Sequence, residues 1–212
     1  RTTVLVLSDH GFSPFTREFN LSTWLVENGF TALSDRSRME QMRYFDVVDW
    51  RRTKAYAMGI NGIYINLAGR ERFGAVAPAE AQRIKDEIIA KLHTVKDPAN
   101  GARVVKRAYD AQQIYRGPFM AVAPDVVVGY EAGYRISDEA VLGRFPKEIV
   151  RDRTDKWSAD HCMDPAVVPG VLLCNRPFKK PAPALWDLAP TIIEAFGLRP
   201  PREMEGRSIF VA

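Results

Sequence analysis

Asp9 and His10 stand side by side where a short aliphatic run, Thr3-Val-Leu-Val-Leu7-Ser8, gives way to Gly11. A carboxylate and an imidazole are both ligands of divalent cations, and the pair suits zinc best. Inside a regular strand neighbouring side chains point to opposite faces, so Asp9 and His10 can converge on one ion only where the strand ends. Gly11 tolerates the unusual backbone angle such an ending needs. A plainer reading stays open beside this one, in which the carboxylate orients the histidine at the start of a loop.

A second chemistry-bearing stretch lies far downstream: Asp155-Lys-Trp157-Ser-Ala-Asp160-His161-Cys162-Met-Asp164-Pro165. It leads into Val167-Val-Pro-Gly170 and the aliphatic run Val171–Cys174, which would carry His161 to a sheet end or to a connection above it. His161 is the metal-ligand candidate here. Its alternative is a loop histidine bonded to a backbone carbonyl, with Asp160 and Asp164 capping turns and Trp157 in the core. His93 falls at the end of a predicted helix, where a cation is favourable without further function.

These side chains need a scaffold, and the chain supplies short apolar runs alternating with helical patterns. Val4–Leu7 reads as a strand buried on both faces, as in a parallel sheet, with its site at the carboxyl end. Gly11–Arg17 reads as a polar loop. Phe19–Gly29 reads as a helix stopped by Gly29, and Phe30–Leu33 as a returning strand, so that the whole forms a crossover unit. Val47–Trp50, Ala55–Met58, Ile63–Ile65, Val104–Val105, Pro124–Gly129 and Gly170–Cys174 are further strand candidates, with Asn61-Gly62 a turn signal. Pro78–Leu92 is the clearest helix, striped by Ile84, Ile88, Ile89 and Leu92. The last helix spans Leu185–Phe196, with Asp187 a cap and Gly197 its terminator.

The 212 residues suffice for a sizeable core, and 46% hydrophobic with 26% charged residues is ordinary for a globular chain. The formal charge of +4 is scattered along the sequence, without the basic stripe of a nucleic-acid surface. No run approaches the roughly eighteen apolar residues of a membrane helix. The two cysteines, Cys162 and Cys174, form no disulfide framework and read as free thiols.

Taken together, Ser8-Asp9-His10-Gly11, the downstream Trp157-Ser-Ala-Asp160-His161 and the following Pro169-Gly-Val-Leu-Leu resemble the C-terminal half of an alkaline phosphatase superfamily catalytic domain. The closest branch is the type I phosphodiesterase/nucleotide pyrophosphatase group. Between the motifs, Val48-Asp-Trp50, Asn61-Gly-Ile-Tyr64-Ile-Asn66 with Gly69-Arg-Glu71, and Pro124-Asp-Val-Val-Val-Gly-Tyr130 resemble it too. So do Asp187-Leu-Ala-Pro190-Thr-Ile192 and Glu205-Gly-Arg-Ser208.

The resemblance implies an α/β fold with a mostly parallel sheet flanked by helices, alkaline phosphatase-like. Residues 1–212 would be one partial domain carrying a smaller α+β insertion. It also implies two zinc ions in the intact enzyme, one held by the Asp-His pair matching Asp9 and His10, the other by a later histidine matching His161. By the resemblance, the Thr or Ser nucleophile and the remaining ligands would precede the first residue here; two catalytic zinc ions need about six side chains, and this chain offers three. The chain opens almost directly on a strand and lacks an initial Met, which fits a piece of a longer protein.

The expectation is therefore a chain that does not hydrolyse phosphate esters alone, binds no zinc or one ion weakly, and has no catalytic nucleophile of its own. Ser8, the one hydroxyl beside the pair, reads as structural. The substrate of the intact enzyme would be a small phosphate ester, with Tyr130, Tyr134 and Arg135 as substrate-binding candidates beside their reading as packing and solvated surface. Sulfatase, phosphonate hydrolase and phosphomonoesterase activities, or a non-catalytic interaction module, are the alternatives. Exposed sheet edges and faces make self-association an expectation. The compartment stays open, an extracytoplasmic one being what the resemblance allows.

Overall fold

In the computed structural model, which describes residues 2–41 and 45–210, the elements follow in this order. They are β1 (Leu5–Leu7), β2 (Ser13–Phe19), α1 (Leu21–Glu27), β3 (Ala55–Met58), β4 (Gly62–Ile65), α2 (Pro78–Leu92), β5 (Val105–Asp110) and α3 (Ala111–Ile114). Then come β6 (Val126–Tyr130), β7 (Gly133–Ile136), α4 (Asp138–Val141), β8 (Val150–Asp152), β9 (Ala159–Asp160), β10 (Leu172–Cys174) and α5 (Leu188–Ala195). The chain divides into two compact units, residues 12–168 and residues 1–11 with 169–212. No helix among the described residues is long and apolar enough to cross a membrane.

The larger unit holds two sheets. In one, β2 is central, parallel to β7 on one side and antiparallel to β8 and β9. The other runs β3-β4-β6-β5 and is antiparallel throughout. The α/β class therefore stands, but the mostly parallel sheet does not: most pairings are antiparallel. The reason is local to the connections. β3 and β4 are separated by Gly59-Ile60-Asn61, with Gly59 at φ 67° and Asn61 at φ 63°, a tight reversal that pairs strands antiparallel. A parallel pair would need a crossover of about a dozen residues.

β2 replaces the polar loop read over Gly11–Arg17. Phe15 and Phe19 are fully buried, and the buried Glu18 is matched by Arg151 and Arg153, so the strand's inward polar residue is neutralised by distant partners. Nor does Phe30–Leu33 return as a strand. Leu33 and Val48 meet in a single bridge, and Val47–Trp50 is turn-like. α2 has the bounds its periodicity predicts, with Pro78 in its first turn and Ile84, Ile88 and Leu92 buried. Arg83 and Lys91 flank Glu87 on its wet face, at 3.7 and 3.4 Å. At its end, His93 Nε2 accepts a hydrogen bond from the Ala108 N–H at 3.0 Å.

In the smaller unit β1 and β10 form an antiparallel ribbon, with Leu5 opposite Cys174 and Leu7 opposite Leu172. Leu5, Leu172, Cys174 and Phe178 pack on a core of Leu188, Ile209 and Phe210. The ribbon's other face is uncovered, so β1 is not the doubly buried strand expected: Val6 is 55% and Leu173 64% exposed. Asp187, buried ahead of α5, accepts hydrogen bonds from the Ala184 and Arg207 N–H groups and from Lys180.

Candidate metal centre

The end of β1 is closed by reciprocal bonds. The Ser8 N–H donates to the Val171 carbonyl at 3.0 Å, and the Val171 N–H donates to Ser8 Oγ at 3.1 Å. Gly170 lets the two segments meet, since a Cβ there would lie 2.4 Å from the Ser8 carbonyl oxygen. Past this closure the backbone carries Asp9 and His10 to one rim. Nδ1–H of His10 donates to the Gly11 carbonyl at 2.9 Å, which leaves Nε2 as the ring nitrogen turned toward Asp9. Nε2 lies 3.6 Å from Asp9 Oδ2, and the Asp9 side chain is 66% exposed.

A carboxylate oxygen and an imidazole nitrogen so placed are a donor set zinc accepts, and the anchored Nδ1 is the outer support that metal-binding histidines ordinarily have. Asp9, though not His10, lines a cavity of about 480 Å³ that Leu7, Gly170, Leu172, Pro183 and Leu185 also bound. Among the described residues, no three His, Cys, Asp or Glu side chains gather as a metal-binding group.

His161 belongs to the larger unit, just past β9, and is exposed. Its ring meets Phe12 edge-on, with centroids 5.9 Å apart and planes at 62°. Asp160 beside it is buried. Its Oδ2 accepts from Arg135 Nε at 2.5 Å, and its Oδ1 accepts the Cys162 N–H at 2.9 Å. Asp164 likewise accepts the Ala166 N–H and the Tyr109 hydroxyl. Burial, with Asp160 nearby, pushes the Cys162 thiol up. Trp157 is 65% exposed rather than in the core.

The three substrate-binding candidates face inward. Tyr130 is fully buried, its hydroxyl has no hydrogen-bond partner among the described residues, and burial drives its phenol well above the usual range. Tyr134 donates to Asp97 Oδ2 at 3.0 Å, and Asp97 in turn receives both Nε and Nη2 of Arg17. Arg135 is held by Asp160, Asp138 and the Ile136 carbonyl. The Arg135–Asp160 link lay beyond sequence reasoning, because nothing local joins residues on different strands.

A family model described as type I phosphodiesterase / nucleotide pyrophosphatase matches residues 1–156, a span that includes Asp9 and His10 and ends short of His161. No curated protein and no solved structure matches the chain.

Proposed function

The chain belongs to the type I phosphodiesterase/nucleotide pyrophosphatase family, within the alkaline phosphatase superfamily, and on that premise we propose that it contributes part of a zinc-dependent phosphate-ester hydrolase. Asp9 and His10 would be donors to one zinc ion and His161 a donor to a second. The Thr or Ser nucleophile would lie outside residues 1–212, so the chain alone would not turn over substrate. Zinc, when bound, supplies stabilisation of the charge on phosphoryl oxygens.

One observation carries this reading: His10 Nε2 stands 3.6 Å from Asp9 Oδ2 while Nδ1 is tied to the Gly11 carbonyl. The Gly11 carbonyl thereby anchors the ring through Nδ1, and Gly170 allows the close approach of the backbone beside the pair. The uncovered ribbon face of Val6 and Leu173 supports self-association of the chain as part of the same proposal.

Zinc titration followed by the histidine imidazole NMR signals tests it. Millimolar zinc is expected to move the His10 signals, and Asp9→Ala to raise the zinc required about tenfold or more. A zinc requirement of the His10 signals that Asp9→Ala leaves unchanged would overturn the assignment. Turnover of a nitrophenyl phosphodiester by the 212-residue chain, lost in His10→Ala, would overturn the placement of the nucleophile.

A further inference from the structure

Residue 161 is clamped from both sides. On its N-terminal side, β9 pairs with β2, Ala159 opposite Pro14 and Asp160 opposite Ser13. On its C-terminal side, the Cys162 N–H donates to Asp160 Oδ1, and the Cys162 carbonyl accepts from Asn61 Nδ2 at 3.3 Å. An aspartate that takes the N–H two residues on shapes the backbone between them, and the residue between is His161. The direction in which the imidazole leaves the chain is thus set by the Asp160 carboxylate.

That carboxylate is itself held from the far side of the sheet. Arg135, on β7, reaches past the central strand β2 so that its Nε meets Asp160 Oδ2. The guanidinium has no freedom left to wander. Nη1 donates to the Ile136 carbonyl at 2.9 Å and to Asp138 Oδ1 at 2.7 Å, and the group lies over the Phe15 ring at 5.2 Å. Without it, Asp160 would be an uncompensated buried anion and would swing toward water, taking the turn with it. Lysine cannot stand in, because one ammonium cannot reproduce a fork that binds two carboxylates and a carbonyl at once.

We infer that Arg135 and Asp160 are positioning residues for His161, a strut running from β7 across β2 that fixes the imidazole against Phe12. The inference rests on the reading of His161 as a metal ligand only for its purpose. Its geometry is independent of that reading.

The test uses the full chain, with the cross-peak between the His161 and Phe12 rings as the reporter. The His93 signal, whose Nε2 accepts from Ala108 in the same unit, serves as control. Arg135→Lys and Asp160→Ala are expected to lose the cross-peak while the His93 signal keeps its position. Asp160→Asn, which retains an acceptor for the Cys162 N–H, is expected to keep part of its intensity. A cross-peak that survives both Arg135→Lys and Asp160→Ala overturns the inference. So does a joint collapse of the His93 and His161 signals in Arg135→Lys and Asp160→Asn, which would mark the pair as holding the fold alone. A wild-type His161 signal that ignores zinc would remove the ligand reading, whereas the inference stands or falls on the zinc-free spectra.

Discussion

In the larger unit Ile63, Ile65, Ile88 and Val126 are fully buried, whereas in the smaller one Val4, Val6, Leu7, Val171 and Leu173 keep 45–64% of their surface exposed. The difference is architectural. The larger unit has two sheets with α1 and α2 against them, so each strand finds an apolar partner, while the smaller one offers a single ribbon and one short helix to cover it. Polar groups follow the same division. The larger unit can bury charge in matched sets such as Lys85 with Asp110, whereas among the described residues of the smaller one a buried carboxylate, Asp187, ties three segments together. The Asp9–His10 pair therefore sits on the less supported of the two frames.

The largest effect should come from breaking a matched set in the larger unit. Lys85 and Asp110 are both almost fully buried, 2.9 Å apart, and Asp110 also serves Gln82 and the Gln112 N–H. Burial opposes the ionised Asp110, yet Lys85 holds its carboxyl below the ordinary range. Asp110→Ala leaves a buried ammonium alone and is expected to cost about 3–5 kcal/mol in urea unfolding. The paired change Lys85→Met with Asp110→Leu should cost far less, because no charge is stranded. A small loss in the single variant would mean that water already reaches the pair, and the contrast between the units would weaken.

What could be read in the sequence follows the range of the forces involved. α2 was legible from end to end because its signal is local: a proline start, an isoleucine stripe and paired charges one turn apart. The approach of Asp9 to His10 was legible for the same reason, as adjacent residues at the end of an apolar run. β2 was not, because Glu18 becomes a buried strand residue only when Arg151 and Arg153 arrive from more than a hundred positions away. Strand direction was equally hidden, since Val126-Val127-Val128 looks the same between parallel or antiparallel neighbours. The turn that Asp160 makes was within reach as a local cap, but Arg135, which holds it, was visible only as a substrate-binding candidate or as packing and solvated surface.

A smaller effect is expected at Asp187. Its hydrogen bond from Lys180, with those from the Arg207 and Ala184 N–H groups, lowers its pKa from 3.8 to about 2. A carboxyl depressed in the folded state adds stability that is complete above pH 3.8 and is lost as the pH falls through about 2. Hydrogen exchange of α5 should therefore quicken across that acid window. Asp187→Ala should cost about 1–3 kcal/mol at neutral pH and remove this component of the acid response. An α5 acid profile identical in variant and wild type would assign the helix's stability to its apolar contacts instead.

The smallest effect on stability belongs to the ribbon's outer face. Leu173 lies largely in water, so Leu173→Ser removes little packing, and in dilute solution its unfolding free energy should stay within about 0.5 kcal/mol of wild type. At high concentration the same variant should differ more, because the face formed by Val4, Val6, Val171 and Leu173 is what two copies would bury against each other. Sedimentation across a concentration series reads this directly, with wild type gaining mass and Leu173→Ser gaining less. A cost in dilute solution as large as that of a core truncation would show that the face is already covered in the single chain. The smaller unit would then be as well packed as the larger, and the Asp9–His10 pair would rest on a firmer frame than its ribbon suggests.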